Sequence, residues 1–599
     1  MTTTTRSKRL WLVAAPAFAL VLAVTGCSSA ATDDAGSGTS SATTVGSAAA
    51  AAVDGDAGQT AAEVLAANQD AHDEDGDGDY SAADATTISL SGSSATVSGD
   101  GAVASGATVT VTAAGTYVLS GTFTGQVVVD SEGEGTVKLV LDGVDIDTSA
   151  GAAIDIRAAD EAVVILADGS ANALSDASSY ADDADANAAL YSATDLTIAG
   201  AGALTVRGNG NDAIASADGL VIQSGTIAVD AADDGIRGKD YVVIRGGDLT
   251  VTADGDGLKA DNADDTDRGY VLLTGGEVSV TSGDDGIAAA TDIVTTGGTL
   301  TITAGGGAGA GTDAGAKGVS AGVIAVLEGG EVSIDAAEDG INTVAFAHLA
   351  GATVTIAAGE DAAHAEQQLV VTAGTNTVTT SEEALEAGQI TVAGGTTDIT
   401  SSDDGLNVSE PDAGSADLTM VISGGTLLVD AEGDGLDVNQ GTLTMSGGTV
   451  VVSGPTGDGN GALDVDGGMT ISGGTFLAAG SAGMAMAPSA DSDQASVQFT
   501  ATQQIAGGTV LSIVDSAGEV LATFTTSKQT ASVVYSGADV VNGETYTLVS
   551  GGGAGEQIAG GLSEGGTAGS ATVATGVAGE QSSMGMGGPG GGMPGGPRP

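Results

Sequence analysis

The chain reads as an all-β solenoid, a parallel β-helix with rungs of ~22 residues over 86–486, followed by a small antiparallel β unit over 487–550. Three observations predict this. An acidic residue at a turn recurs at a fixed step: Asp212, Asp234 and Asp256 lie 22 residues apart, as do Asp339, Asp361 and Glu383. The longer steps to Asp285, Lys317 and Asp434 carry Gly- or Asp-rich insertions, and a fixed period with loops inserted at one point marks a stacked repeat. Between the acids the apolar residues alternate, as in Val242 and Ile244, Leu249 and Val251, Val271 and Leu273, Val278 and Val280, and period two means strands. The aliphatic after the turn also recurs, as Ile236, Leu258, Ile287, Val319, Ile341, Leu385, Leu406 and Leu436. No part of the repeat has a helical period, so each rung is expected to hold three short strands pairing with their equivalents in the next rung.

In chain order, Arg6, Lys8 and Arg9 precede the apolar run Leu10–Val24, which ends in Val24-Thr25-Gly26-Cys27. Residues 1–26 read as a lipoprotein signal peptide with Cys27 as the lipidated residue, which predicts an extracellular protein tethered to the cell membrane. Cys27 is the only cysteine, so no disulfide framework stabilises the fold. Residues 27–85 are poor in large apolar groups and read as a spacer, with a short helix over 61–71. The run from Asp73 to Asp84 has the spacing of an EF-hand loop, but the strand-like segment after it and Asp84 in place of the usual Glu favour an acidic linker. From residue 86 to 204 the strands are less regular and are expected to cap the solenoid. The segment 551–599, rich in Gly, Ser, Met and Pro, is expected to be disordered.

Charge narrows the partners. Three of the 14 basic residues lie in the signal segment, leaving 11 against 79 acids, a net of −68. So negative a surface excludes nucleic acid as a general partner and favours cations. Aligned on the turn, Asp234, Asp256, Asp285, Asp339, Asp361, Glu383, Asp404 and Asp434 form one column, broken at Lys317, with Asp233, Asp284, Glu338, Glu360, Glu382 and Asp403 one place earlier. Neighbouring strands lie ~4.8 Å apart, where two carboxylates repel by roughly 3–4 kcal/mol at an effective dielectric of about 20. Calcium is the expected cofactor, with Asp233, Asp234, Asp254, Asp256, Asp261, Asn262, Asp284, Asp285, Asp403, Asp404 and Asp434 as candidate ligands. The alternative is that Asp-Gly is turn chemistry and the side chains fan into solvent.

Six of the 11 remaining basic residues fall between Arg207 and Arg268. Arg237 and Lys259 share a column three places after the acid, Lys239 and Arg268 lie nearby, and Tyr241 aligns with Tyr270 in the following strand. Paired cations and phenols on adjacent rungs make Arg237, Lys239, Tyr241, Lys259, Arg268 and Tyr270 a candidate site for an acidic sugar. Internal pairing of these cations with their own Asp columns is the equal alternative. The only tryptophan, Trp11, is in the signal segment, which leaves no indole platform for a flat neutral glycan. His72, His348 and His364 are scattered without a repeated partner, and no nucleophilic triad can be assembled.

The stretches AAGTYVLSGTFTGQVVVD (113–130), VKLVLDGVDI (137–146), ADGSANALSD (167–176), LTIAGAGALTVRGNGNDAI (196–214), DDGIRGKDYVVIRGG (233–247) and GDGLKADN (255–262) resemble the secreted bacterial carbohydrate-binding domain-containing proteins. That resemblance covers roughly 86–480 and implies a right-handed, single-stranded parallel β-helix similar to pectate lyases. It also implies bound calcium and non-catalytic binding of polymers such as polygalacturonate or cellulose. The chain departs from the pattern at Lys317 and where Ala362 and Ala384 replace the turn glycine. The expectation is therefore a monomeric, surface-anchored, calcium-dependent binder of acidic polysaccharide, not an enzyme. The alternatives are a calcium-dependent uronate lyase and a structural or adhesive rod.

Overall fold

The computed structural model describes residues 56–181, 184–312, 315–411 and 417–580; the signal segment and Cys27 lie outside them. Among the described residues no helix is long and apolar enough to cross a membrane. The strands form one sheet of 44 and a second of six. In the body of the large sheet each strand runs parallel to its equivalent one repeat later, in the register the alternating pattern requires. Ile214 pairs with Ile236, then in turn Leu258, Ile287, Val319 and Ile341, so that the aliphatic after each turn stacks on the next. Val242, Val271 and Ile293 form a second such row, and Leu249, Val278 and Leu300 a third. These rows meet in a single apolar core that extends from Ile88 to Ala487 and includes Val534.

The open single-stranded right-handed solenoid expected from the repeat is corrected. The strands are joined in one continuous, closed parallel wall of the barrel type, carrying further strands. Asp292–Ala304 and Ile324–Ala336 run through the corner as single 13-residue strands where separate short ones were expected. Antiparallel pairing enters at both ends, Thr86–Gly92 with Ser94–Ser98 and Thr475–Gly480 with Thr530–Ser536. Period-two alternation states which side chains face inward, and that requirement is met equally by an open stack and a closed wall, so closure is invisible to it.

The second sheet is antiparallel and has its own core, built on Leu511, Ile513, Phe524, Tyr546 and Leu548. It does not end at residue 550. Gly553–Ala559, Leu562–Thr567 and Ala571–Val577 complete it, within a stretch expected to be disordered. Edge strands are held by backbone hydrogen bonds, which glycine supplies as well as any residue, and composition conceals them.

The 27–85 segment is likewise more than a spacer from Asp56 onward. Thr60 caps the helix Ala61–Leu65 through a capping box with Glu63. Ala57, Ala61 and Val64 pack against the outward sides of Tyr241, Val243, Tyr270, Leu272, Val294 and Phe346. The runs YVVI and YVLL are buried on both faces, the inner against the core and the outer beneath this strap. Arg245 grips Asp73 through two hydrogen bonds of 2.9 and 3.2 Å. In the acidic run, the Lys138 ammonium donates to the carbonyls of Gly76, Asp77 and Asp79 at 2.9–3.1 Å, so a lysine takes oxygens that a metal loop would offer.

Candidate functional site

The three-residue strand Ile236–Gly238 and its equivalents carry the site, because the turn before each places an acid on the wall and the central residue of each points outward. Inside the turns runs a ladder of buried carboxylates. Asp212 Oδ1 accepts the backbone N–H of Asp234 at 3.3 Å, Asp234 that of Asp256 at 3.0 Å, Asp256 that of Asp285 at 3.0 Å and Asp285 that of Lys317 at 2.8 Å. The ladder resumes from Asp339 to Asp361 and from Asp404 to Asp434. One oxygen of each acid thus holds the next turn of chain, which explains the column without any ion. Burial, reinforced by neighbouring carboxylates, pushes Asp212 and Asp285 up to about 7; it pushes Asp256 up to about 6 against the opposing pull of Lys259.

The remaining oxygens meet the cations. Lys259 Nζ lies 3.0 Å from Asp234 Oδ2 and 2.8 Å from Asp256 Oδ2. Arg237 binds Asp261 at 2.5 Å and lies 3.5 Å from Asp212. Arg268 pairs with Asp240, and Asn262 donates to Asp240 at 2.7 Å. Arg237 and Lys259 are register partners, but both are engaged with carboxylates of the wall. Tyr241 and Tyr270 stack on each other with centroids 5.3 Å apart and lie beneath the strap, the Tyr241 hydroxyl on His72 and the Tyr270 hydroxyl on the Gln69 carbonyl. The expected phenol platform is therefore closed to a ligand: the strap supplies the burial that both-sided apolar strands demand. Of the six expected sugar contacts only Lys239 is exposed.

For calcium, the expected ligands divide. Asp233, Asp254, Asp284 and Asp403 are exposed, whereas Asp234 and Asp256 are buried and Asp285, Asp404 and Asp434 lie between. The structure brings together Asp256, Asp284 and Asp285, with one oxygen of each within 4.8 Å of the others. Three convergent carboxylates fit a hard cation there. Between Asp234 and Asp256 they do not, because the Lys259 ammonium already stands between them. Asp261 gives its Oδ2 to Arg237, while its buried Oδ1 has no hydrogen-bond partner among the described residues, and Asn262 donates to Asp240.

The outward row has a part that the repeat did not disclose. Its register runs from Asp155 to Tyr191, Ala215, Arg237 and Lys259. At its start a cavity of about 770 Å³ opens, lined by Asp155, Arg157, Tyr180, Tyr191 and Gln126 among others. Asp155 is 4% exposed; its Oδ2 accepts from Arg157 Nε at 2.6 Å while its Oδ1 has no hydrogen-bond partner among the described residues. The Arg157 side chain is 58% exposed, and the Tyr180 hydroxyl donates to Asp176 at 2.7 Å. Tyr191 carries its phenol at the floor, with burial holding its proton more tightly than usual. The signal in the sequence that marks this place is the break in period between Ser175 and Ala188, since a long irregular connection on a regular wall is where binding groups are commonly placed.

Comparison with known proteins follows this geometry. Residues 105–362, which include the cavity and the Arg237–Lys259 pair, match the family profile described as carbohydrate-binding domain-containing protein. A relative of that description from Acetivibrio thermocellus is 42% identical over 126 residues, 20% of this chain; the match spans 44% of the relative's length. A solved structure titled as the polysaccharide lyase-like protein from C. thermocellum, gadolinium derivative, is 36% identical over 37% of this chain and 92% of its own, with a TM-score of 0.36. Over residues 105–362, therefore, the chain is similar to the carbohydrate-binding domain-containing protein family, and it spans less than half the length of the relative it matches.

Proposed function

We propose that the protein binds an acidic polysaccharide at the cavity beside Tyr191 without cleaving it, with calcium assisting at Asp256, Asp284 and Asp285, and that Cys27 tethers it to the outer face of the membrane. The observation that carries the reading is the cavity itself: an exposed guanidinium on Arg157 and the phenol-bearing Tyr180 and Tyr191 line a space of about 770 Å³. A guanidinium meets a uronate carboxylate as a fork, and a phenol packs on a pyranose face. The family match supports carbohydrate as the ligand class. A bound calcium would bridge wall carboxylates to those of the polymer; the chain's own groups orient and retain it.

Non-catalytic binding is favoured over a lyase by the state of the available bases. Carboxylates on both sides hold Lys259 protonated well above its ordinary range despite burial, and Arg237 is held likewise. A group so stabilised as a cation is a poor acceptor for the proton beside a uronate carboxylate.

The test is retention of the whole chain on immobilised polygalacturonate in calcium and in chelator, with absorbance of unsaturated uronates followed in the same samples. Calcium-dependent retention, lost in Arg157→Gln and in Tyr191→Ala, without an absorbance rise, is expected. Retention indifferent to both variants overturns the site, equal retention in chelator overturns the calcium role, and an absorbance rise overturns the non-catalytic reading.

A further inference from the structure

We propose a second metal site, for a divalent transition ion of the zinc class, formed by Asp361, His364 and Glu386. His364 and Glu386 are register partners on adjacent parallel strands, and Asp361 occupies the turn three residues before His364. His364 Nδ1 lies 3.2 Å from Asp361 Oδ2 and 3.1 Å from Glu386 Oε2, with one ligand atom of each residue within 4.8 Å of the others. Tetrahedral bonds of roughly 2.0–2.2 Å around one zinc ion set neighbouring ligand atoms roughly 3.3–3.6 Å apart, within a few tenths of an ångström of the two measured edges. Calcium, with longer bonds and six to eight oxygens, is poorly served by one imidazole and two carboxylates.

The surrounding groups hold these ligands in binding orientation. His364 Nε2 faces Glu366 Oε1 at 3.7 Å. The Glu366 carboxylate, too far for a direct hydrogen bond, favours the proton on Nε2 through its charge, which leaves the Nδ1 lone pair directed at Asp361 and Glu386. Glu386 is anchored by its other oxygen, which accepts from Ser409 Oγ at 2.7 Å, so Oε2 is the one turned to the imidazole. Nδ1 carries at most one proton and cannot donate fully to both carboxylates, whereas a dication satisfies all three groups and leaves two carboxylates, one imidazole and the ion electrically neutral. The same outward position is Arg237 and Lys259 in earlier repeats, each a cation lodged between carboxylates; at 364 the chain places a ligand there instead. His364 and Glu386 lie beyond the 105–362 segment that matches the family, so this is a property of this chain's own later repeats.

The experiment uses the full chain stripped with EDTA and titrated with cobalt(II), whose d–d absorption reports a nitrogen- and oxygen-ligated site, followed by zinc. One visible-absorbing cobalt per chain, displaced by zinc and accompanied by a rise in melting temperature, is expected. His364→Gln and Glu386→Gln should abolish the band while melting in EDTA within a few degrees of the parent. Asp285→Asn, at the separate carboxylate cluster, should retain it. Glu366→Gln, which leaves all three ligands in place, should bind roughly 10–100-fold more weakly. No band in the parent chain, or a band that survives in His364→Gln at undiminished affinity, overturns the proposal in favour of His364 acting only as an imidazolium between acids.

Discussion

Replacing Lys259 by methionine keeps most of the side-chain volume and removes the ammonium from between Asp234 and Asp256. The carboxylates are 6% and 9% exposed and the lysine 31%, so the charges are substantially withdrawn from water. Removing one partner of a buried ion pair costs roughly 3–5 kcal/mol, because the remaining charge is left uncompensated. Unfolding entropy of roughly 2.1 cal/mol/K per residue amounts to about 1 kcal/mol per degree for a chain of roughly 500 folded residues, so the melting temperature should fall by about 3–5 °C. The sign with pH follows from Asp256, whose folded pKa is already raised to about 6 by burial with Lys259 opposing. With that opposition gone the pKa rises further. A raised folded pKa contributes stability that is present below the unfolded value near 4 and lost as pH climbs through the folded one. The defect should therefore be small at pH 5 and full at pH 8, measured by calorimetry in EDTA. The vacated position between two carboxylates then suits a hard cation, so millimolar calcium should restore more of the loss in the variant than it adds to the parent. A fall of less than 1 °C at pH 8 in EDTA would refute the argument.

The unsubstituted chain should show the same sign: Asp212, raised to about 7 by burial and then Asp234, and Asp292, raised to about 6 by burial beneath the strap, make the protein in EDTA more stable near pH 5 than near pH 8, which melts at the two pH values will check. Val64→Asp places a carboxylate where the valine is 3% exposed against the outer sides of Tyr241 and Tyr270, so the strap should detach, and limited proteolysis should cleave within 56–80 many times faster than in the parent while the wall persists; equal cleavage rates would show that the strap is not held by this face.

The row Ile236, Leu258, Ile287, Val319 was legible in the sequence because alternation and spacing are local properties: each residue's inward or outward direction follows from its position in a strand, and a constant step brings equivalent residues into register. The Asp column was legible for the same reason. Its purpose was not, since an Asp Oδ1 holding the next turn's N–H, a lysine wedged between two acids and a calcium ligand all leave the same letter at the same position. Arg237 and Lys259 were correctly placed side by side, yet only the fold brings Asp212 and Asp261 to Arg237 from the turns on either side of it. Tyr241 and Tyr270 were read as an open platform, because nothing in their own strands announces that a helix about 180 residues earlier will cover them. The cavity at Asp155, Arg157 and Tyr191 arises where the period fails, and a break carries no register from which partners can be read. Spacing along the chain specifies what repeats; closure of the wall, the docking of the strap and the meeting of charges from different turns depend on distances between residues far apart in sequence, and those exist only once the chain has folded.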